Sequence, residues 1–161
     1  MKKVIKKINI RKKTALICTW LFLMAGAGSW VYGGTVYSGI IKSVNNVNSV
    51  DFVYKGKTIK ITIAGIDIST NKSANQGAIK YIESLIRGNI PALIRVRNME
   101  NNTSMQADLY VIDKKKGNIN IGLELIRKGF VKKQSGFDYK YGQLAKAESE
   151  AKKSKIGIWA N

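Results

Sequence analysis

The sequence predicts an α+β domain that is mainly β: a small barrel of five short strands with helices packed outside it. Three observations carry this reading. From Thr35 onward apolar residues recur at every second position in short runs, split by Asn-rich and Lys-Gly turns. Between Gln76 and Arg87 the apolar spacing becomes helical. After two more strands the chain ends in helical patterns, and strands followed by helices suit a barrel with helices outside.

In order, Val36, Ile40 and Ile41 mark the first strand, Val50, Phe52 and Tyr54 the second, and Ile59, Ile61 and Ile63 the third. Val44 to Ser49, with three asparagines, reads as a polar connection, and Lys55-Gly56 as a tight hairpin turn. Ile79, Ile82 and Ile86 place the first helix over Gln76 to Arg87, with Gly88 as its stop. Pro91 opens a strand over Ala92 to Arg97, where it removes no ladder bond. The polar stretch Asn98 to Ser104 reads as a turn before a fifth strand from Ala107 to Asp113. Lys114-Lys115-Lys116-Gly117 makes a basic turn, a short helix runs over Gly122 to Lys128, and a last helix over Tyr139 to Ser154 aligns Leu144, Ala147 and Ala151.

Two segments are expected, 1–33 as a leader and 34–161 as the barrel domain. Residues 1–13 are basic, Ala15 to Ala27 is almost wholly apolar, and Ala25-Gly26-Ala27 has the small residues a signal peptidase needs. Extended through Trp30 and Tyr32 the apolar run approaches bilayer-spanning length, so a membrane anchor stays open beside a cleaved signal peptide. Both readings put the basic flank inside and the domain outside the cytoplasmic membrane: secreted, periplasmic or anchored by a single pass.

The net charge is +18, and residues 1–33 hold seven Lys/Arg without an acid, which leaves +11 on the domain. Such a surplus attracts polyanions, nucleic acid among them. The chain has no histidine, and its single cysteine, Cys18, lies in the leader. Histidine-based acid–base catalysis, Ser-His and Cys-His nucleophiles and the usual zinc ligands are therefore excluded from the domain, as is an internal disulfide.

The element order, Ala64-Gly65-Ile66-Asp67, the helix opening at Gln76-Gly77-Ala78, and the ending Ala147 to Lys153 with Gly157-Ile158-Trp159 together resemble the staphylococcal nuclease (thermonuclease) family over Gly34 to Asn161. The resemblance implies a five-stranded OB-fold barrel. It also implies calcium-dependent cleavage of DNA and RNA, in which two carboxylates hold the cation, a glutamate activates water and two arginines clamp the phosphate.

Carried over by position, the metal-binding turn falls on Asn46-Val47-Asn48-Ser49, with Asn48 in place of a ligand carboxylate. The first arginine falls on Thr62, the second carboxylate on Asp67, the general base on Thr70 and the second arginine on about Met105. Only Asp67 keeps a functional side chain. Alternation points Asp51 to the face opposite Asn48 unless a bulge intervenes, and Glu100 and Asp108 lie near the altered turn.

No cofactor is expected, calcium entering only if a rearranged site still cleaves. The leading expectation is a catalytically impaired, exported or membrane-tethered module that binds nucleic acid or another polyanion. Its candidate surface is Lys55, Lys57, Lys60, Lys114, Lys115, Lys116, Lys132, Lys133 and Lys140 with Phe137 and Tyr139, since aromatics among lysines suit single strands on an OB-fold. An active calcium-dependent nuclease and a protein-interaction module of the cell envelope are the alternatives. Trp159 is expected to pack the C-terminal end, and Glu148 and Glu150 to form ordinary salt bridges.

Overall fold

The computed structural model describes residues 34–160. The leader, with its signal-peptide or anchor reading, lies outside the described residues. Within them run β1 (Val36–Asn46), β2 (Ser49–Tyr54), β3 (Lys57–Ile63), β4 (Ile66–Asp67), α1 (Lys72–Ile86), β5 (Pro91–Asn101), β6 (Ser104–Asp113), β7 (Gly117–Asn120), α2 (Ile121–Arg127), β8 (Lys132–Lys133) and α3 (Gln143–Lys153). A 3₁₀ turn, Gly157–Trp159, ends the described chain.

The sheet order is β3-β2-β1-β5-β6-β7, and a parallel seam of β3 on β6, pairing Ile61 with Met105 and Thr62 with Gln106, closes the first five into a barrel. The predicted class and strand number therefore hold, with β7 as an added edge strand and β4 and β8 paired apart. Alternation fills the barrel: Val50 and Phe52, Ile61 and Ile63, Ala92 and Ile94, and Met105, Ala107, Leu109 and Val111 are all buried. Outside it α1 buries Ala74, Ala78 and Ile82, α2 buries Leu125 and Ile126, and α3 buries Leu144, Ala147 and Ala151.

Several boundaries move. β1 runs on to Asn46 through two irregular pairings, because Ser43 and Asn45 donate to Asp51 on β2 at 3.0 and 2.8 Å. The predicted polar connection thus shrinks to Val47 and Asn48. β5 likewise continues to Asn101 and β6 begins at Ser104, so most of the expected turn at Asn98 to Ser104 is paired. Its polarity reflects exposure on both faces of a hairpin tip.

α1 begins at Lys72, a turn before the apolar spacing announces it, because the Asn71 side chain accepts from the Ala74 N–H at 3.0 Å. α3 begins only at Gln143, since Tyr141 and Gly142 take left-handed φ of 68° and 63°. Its N-cap residue, Gly142, has no side chain to offer. Asp138 substitutes from four residues upstream, its carboxylate accepting the N–H groups of Leu144 and Ala145 at 2.9 and 3.1 Å and that of Tyr139 at 2.7 Å. Burial opposes ionisation of Asp138, but these N–H donors and the nearby Lys133 charge win and hold its pKa below the ordinary value. A carboxylate depressed on folding stabilises above its unfolded pKa of about 4 and loses that contribution as pH falls through the folded value. Asp138→Ala should therefore cost about 1 kcal/mol at pH 7 and flatten the acid limb of a stability-versus-pH curve below pH ~4, read by urea unfolding.

Candidate functional site

The outer face of β2, β3 and β6 is where an OB-fold meets oligonucleotides and where the family positions fall. Pairing puts Ser49 opposite Thr62, Asp51 opposite Lys60, and Thr62 beside Gln106. Asp51 therefore shares the face of Lys60 and Thr62. The β1 bulges adjust its partner strand, and its carboxylate is held below the usual range chiefly by the Asn45 hydrogen bond, with Ser43 and the charges of Lys42 and Lys60 assisting.

Asn48 forms the β1–β2 turn: its N–H donates to Asn46 Oδ1 at 3.0 Å, and its carbonyl accepts from Ile63 at 2.7 Å. Met105 does not belong on this face. It is 4% exposed and fills the barrel interior, so the outward residue beside Thr62 is Gln106. The polar β5–β6 turn carries no residue pattern that fixes its register, and a position carried across it by spacing lands one residue off the outward face.

Asp67, on β4, is exposed and opposes Lys132 of β8, whose ammonium lies 5.7 Å from the Trp159 ring. Lys152 approaches the same ring to 4.5 Å and pairs with Glu148 at 2.7 Å, so Trp159 packs the C-terminal end and Glu148 forms the expected salt bridge, whereas Glu150 forms none among the described residues. Gly65 precedes this bridge with φ +80°, and a Cβ there would stand 2.6 Å from the Phe137 ring and 2.8 Å from Leu144. Thr70 is exposed in the loop entering α1. Its hydroxyl has no base function near neutral pH.

The donor set does not fit a calcium cage. Asp67 is the one carboxylate at the family's metal positions, and among the described residues no three His, Cys, Asp or Glu side chains are grouped to hold a metal ion.

The basic candidates lie on separate elements. Lys55 is in the β2–β3 turn with its ammonium over Tyr54, Lys57 and Lys60 are exposed on β3, and Lys140 lies over the exposed Tyr141. Lys114, Lys115 and Lys116 are exposed in a turn that the Asp113 carboxylate fixes by accepting N–H groups of Lys115 and Lys116 at 2.8 and 2.7 Å. Lys133 is committed to structure: its Nζ donates to the carbonyls of Gln134 and Phe137, both at 3.0 Å, and its N–H to Glu148 at 2.9 Å.

Phe137 and Tyr139 are likewise not an open stacking platform. Their rings meet edge to face at 5.8 Å, and the Tyr139 hydroxyl accepts from Asn120 at 3.1 Å. Burial, with the Asp108 charge, pushes the Tyr139 hydroxyl well above its ordinary pKa. Over both rings lies Arg97, which binds Asp108 through Nε and Nη2 at 2.9 and 2.6 Å. Asp108 is fully buried, so its place near the altered turn is structural. Arg97 is the extra residue where the β5–β6 pairing jumps from Val96 to Asn98. Only the Arg-Val-Arg spacing at Arg95 to Arg97 hinted at this pair. Glu100 accepts from the Ser104 hydroxyl at 2.7 Å at the hairpin tip.

A closed five-strand barrel with helices outside, carrying its polar face on β2, β3 and β6, defines a domain of the OB class. The family model described as Staphylococcal nuclease homologue matches residues 60–161, from β3 to the C-terminus, and the chain belongs to that family. The match spans Thr62, Asp67 and Thr70, and leaves out the turn that carries Asn48. Membership ties the domain to nucleic-acid-related function. No curated protein matches the chain.

Proposed function

We propose that this chain is an exported or membrane-tethered nuclease-homologue domain that binds nucleic acid and has lost most of the family's capacity to cleave it. The observation that carries this is the chemistry at the positions carried over from the family: hydroxyls at Thr62 and Thr70, an amide at Asn48, and on the outward face beside Thr62 the amide of Gln106, with Met105 buried in the core. Loss of a general base costs about 10²–10⁴ in rate, and loss of one donor to the developing charge about 10²–10³. Such losses overlap within one site, yet together they remove most of a nuclease's advantage. One carboxylate at these positions is too little charge to hold a hard cation.

The full-length chain, in mild detergent, should retain labelled single-stranded DNA or RNA at low salt, with log affinity falling linearly in log salt. It should leave the strand intact with calcium or with chelator. Calcium-dependent cleavage that disappears in Asp67→Ala would restore the active-nuclease reading. Absence of binding at low salt, with capture of a defined envelope protein, would replace nucleic acid by protein as the partner. The mass of the mature N-terminus in the membrane fraction distinguishes an anchor from a cleaved signal.

A further inference from the structure

We infer that single-stranded nucleic acid is held in a trough over β5, β6 and β7 and their junction with α2 and α3, away from the family's catalytic face. The inference rests on the nucleic-acid reading above and assigns its surface. On the outer face of β6, Gln106 belongs to the catalytic face, Asp108 is sealed beneath Arg97, Phe137 and Tyr139, and Tyr110 lies beyond this ridge.

There a depression of about 420 Å³, lined by Tyr110, Lys116, Asn118, Arg127 and Gln143 among others, is within the range of ligand sites. Tyr110 and Asn118 also line a second hollow that reaches Arg95, and Arg127 and Gln143 a third that reaches Lys146. The three hollows have lining residues in common and so lie side by side along this part of the surface.

The trough is net cationic, with Arg95, Lys116, Arg127 and Lys146 lining it against the carboxylates Glu124 and Glu150. On the catalytic face Lys60 stands opposite Asp51, and Asp67 opposite Lys132. In the trough Arg95 and Lys116 form no salt bridge among the described residues. Arg95 stands in register with Asp108, but that carboxylate is occupied by Arg97 and leaves the Arg95 charge available. Arg127 is paired with Glu124 on its own helix. Cations spaced along a track with a tyrosine face and free amides between them match a phosphate backbone with bases turned inward.

The test is fluorescence anisotropy of a labelled oligothymidylate with the full-length chain. Arg95→Gln/Lys116→Gln should weaken binding at least tenfold and reduce the magnitude of the salt slope by about 1.4, the release expected for two single-strand phosphates. Tyr110→Leu should weaken it about tenfold, and ultraviolet crosslinks of the wild-type complex should map to the β6–β7 peptide. Lys55→Gln/Lys57→Gln should stay within about twofold, with circular dichroism and melting temperature checking every fold. Loss of binding in the Lys55/Lys57 variant, with retention in the Arg95/Lys116 variant, overturns the trough alone. No binding by the wild-type chain overturns the nucleic-acid reading and the trough together.

Discussion

Replacing Arg97 by methionine should lower the unfolding free energy by about 3 kcal/mol, the lower end of the range for breaking a buried ion pair, because the guanidinium itself is 35% exposed. The cost arises at the partner. Asp108 is fully buried, and without Arg97 its carboxylate is left desolvated with no ion-pair partner. Arg97→Met/Asp108→Leu removes both charges and should be markedly less destabilised than the single variant. Chemical denaturation of the three proteins at pH ~7 checks this, and an additive double mutant would show that the pair is not coupled.

Gly157→Ala should cost more than the conformational penalty of a left-handed alanine, which is about 1–2 kcal/mol. Gly157 and Gly129 lie against each other with φ of 61° and 66°, and a Cβ on Gly157 would strike the Gly129 carbonyl while one on Gly129 would strike the Ile156 carbonyl. Backbone cannot rotate away as a side chain can. The contact is fixed from both sides, since the Ile158 N–H donates to the Gly129 carbonyl at 2.8 Å. The expected outcome is release of the 3₁₀ turn and, with it, of Trp159 from between Lys132 and Lys152. Gly117→Ala is the control: its φ is +75°, but nothing lies within 4 Å of the added methyl. A loss for Gly157→Ala no larger than for Gly117→Ala would mean that the contact carries no stability. Tryptophan emission and thermal melting read the two variants side by side.

The barrel was legible because its interior obeys a strict alternation, as at Ile59-Lys60-Ile61-Thr62-Ile63, and because mostly polar residues and glycine mark its turns. Strand ends were less legible wherever polar side chains pair on an exposed hairpin. Asn45 and Asn98 look like loop residues in sequence, and both lie in strands. Helix starts depended on caps: Asn71 sits before α1 in the ordinary way, but α3 is capped by Asp138 across an intervening left-handed pair that no local rule detects. At the site, spacing put Thr62 and Thr70 outside the barrel core, where they lie, whereas it misplaced Met105, because a one-residue shift in a hairpin exchanges core and surface. Phe137 and Tyr139 were misplaced for a different reason: exposure of an aromatic depends on what covers it, and Gly65 and Arg97 are remote in sequence.

The parallel seam of β3 and β6 also bears on how the chain folds. The β1–β2–β3 meander and the β5–β6 hairpin join residues near in sequence, whereas Ile61 must find Met105 and Val36 must find Arg95 across α1. Closing such loops costs entropy before the contacts return any energy, which places barrel closure late and makes it slow relative to the hairpins. Substitutions in the β3–β6 seam should act mainly on the unfolding rate, while those in the β5–β6 hairpin should also slow folding.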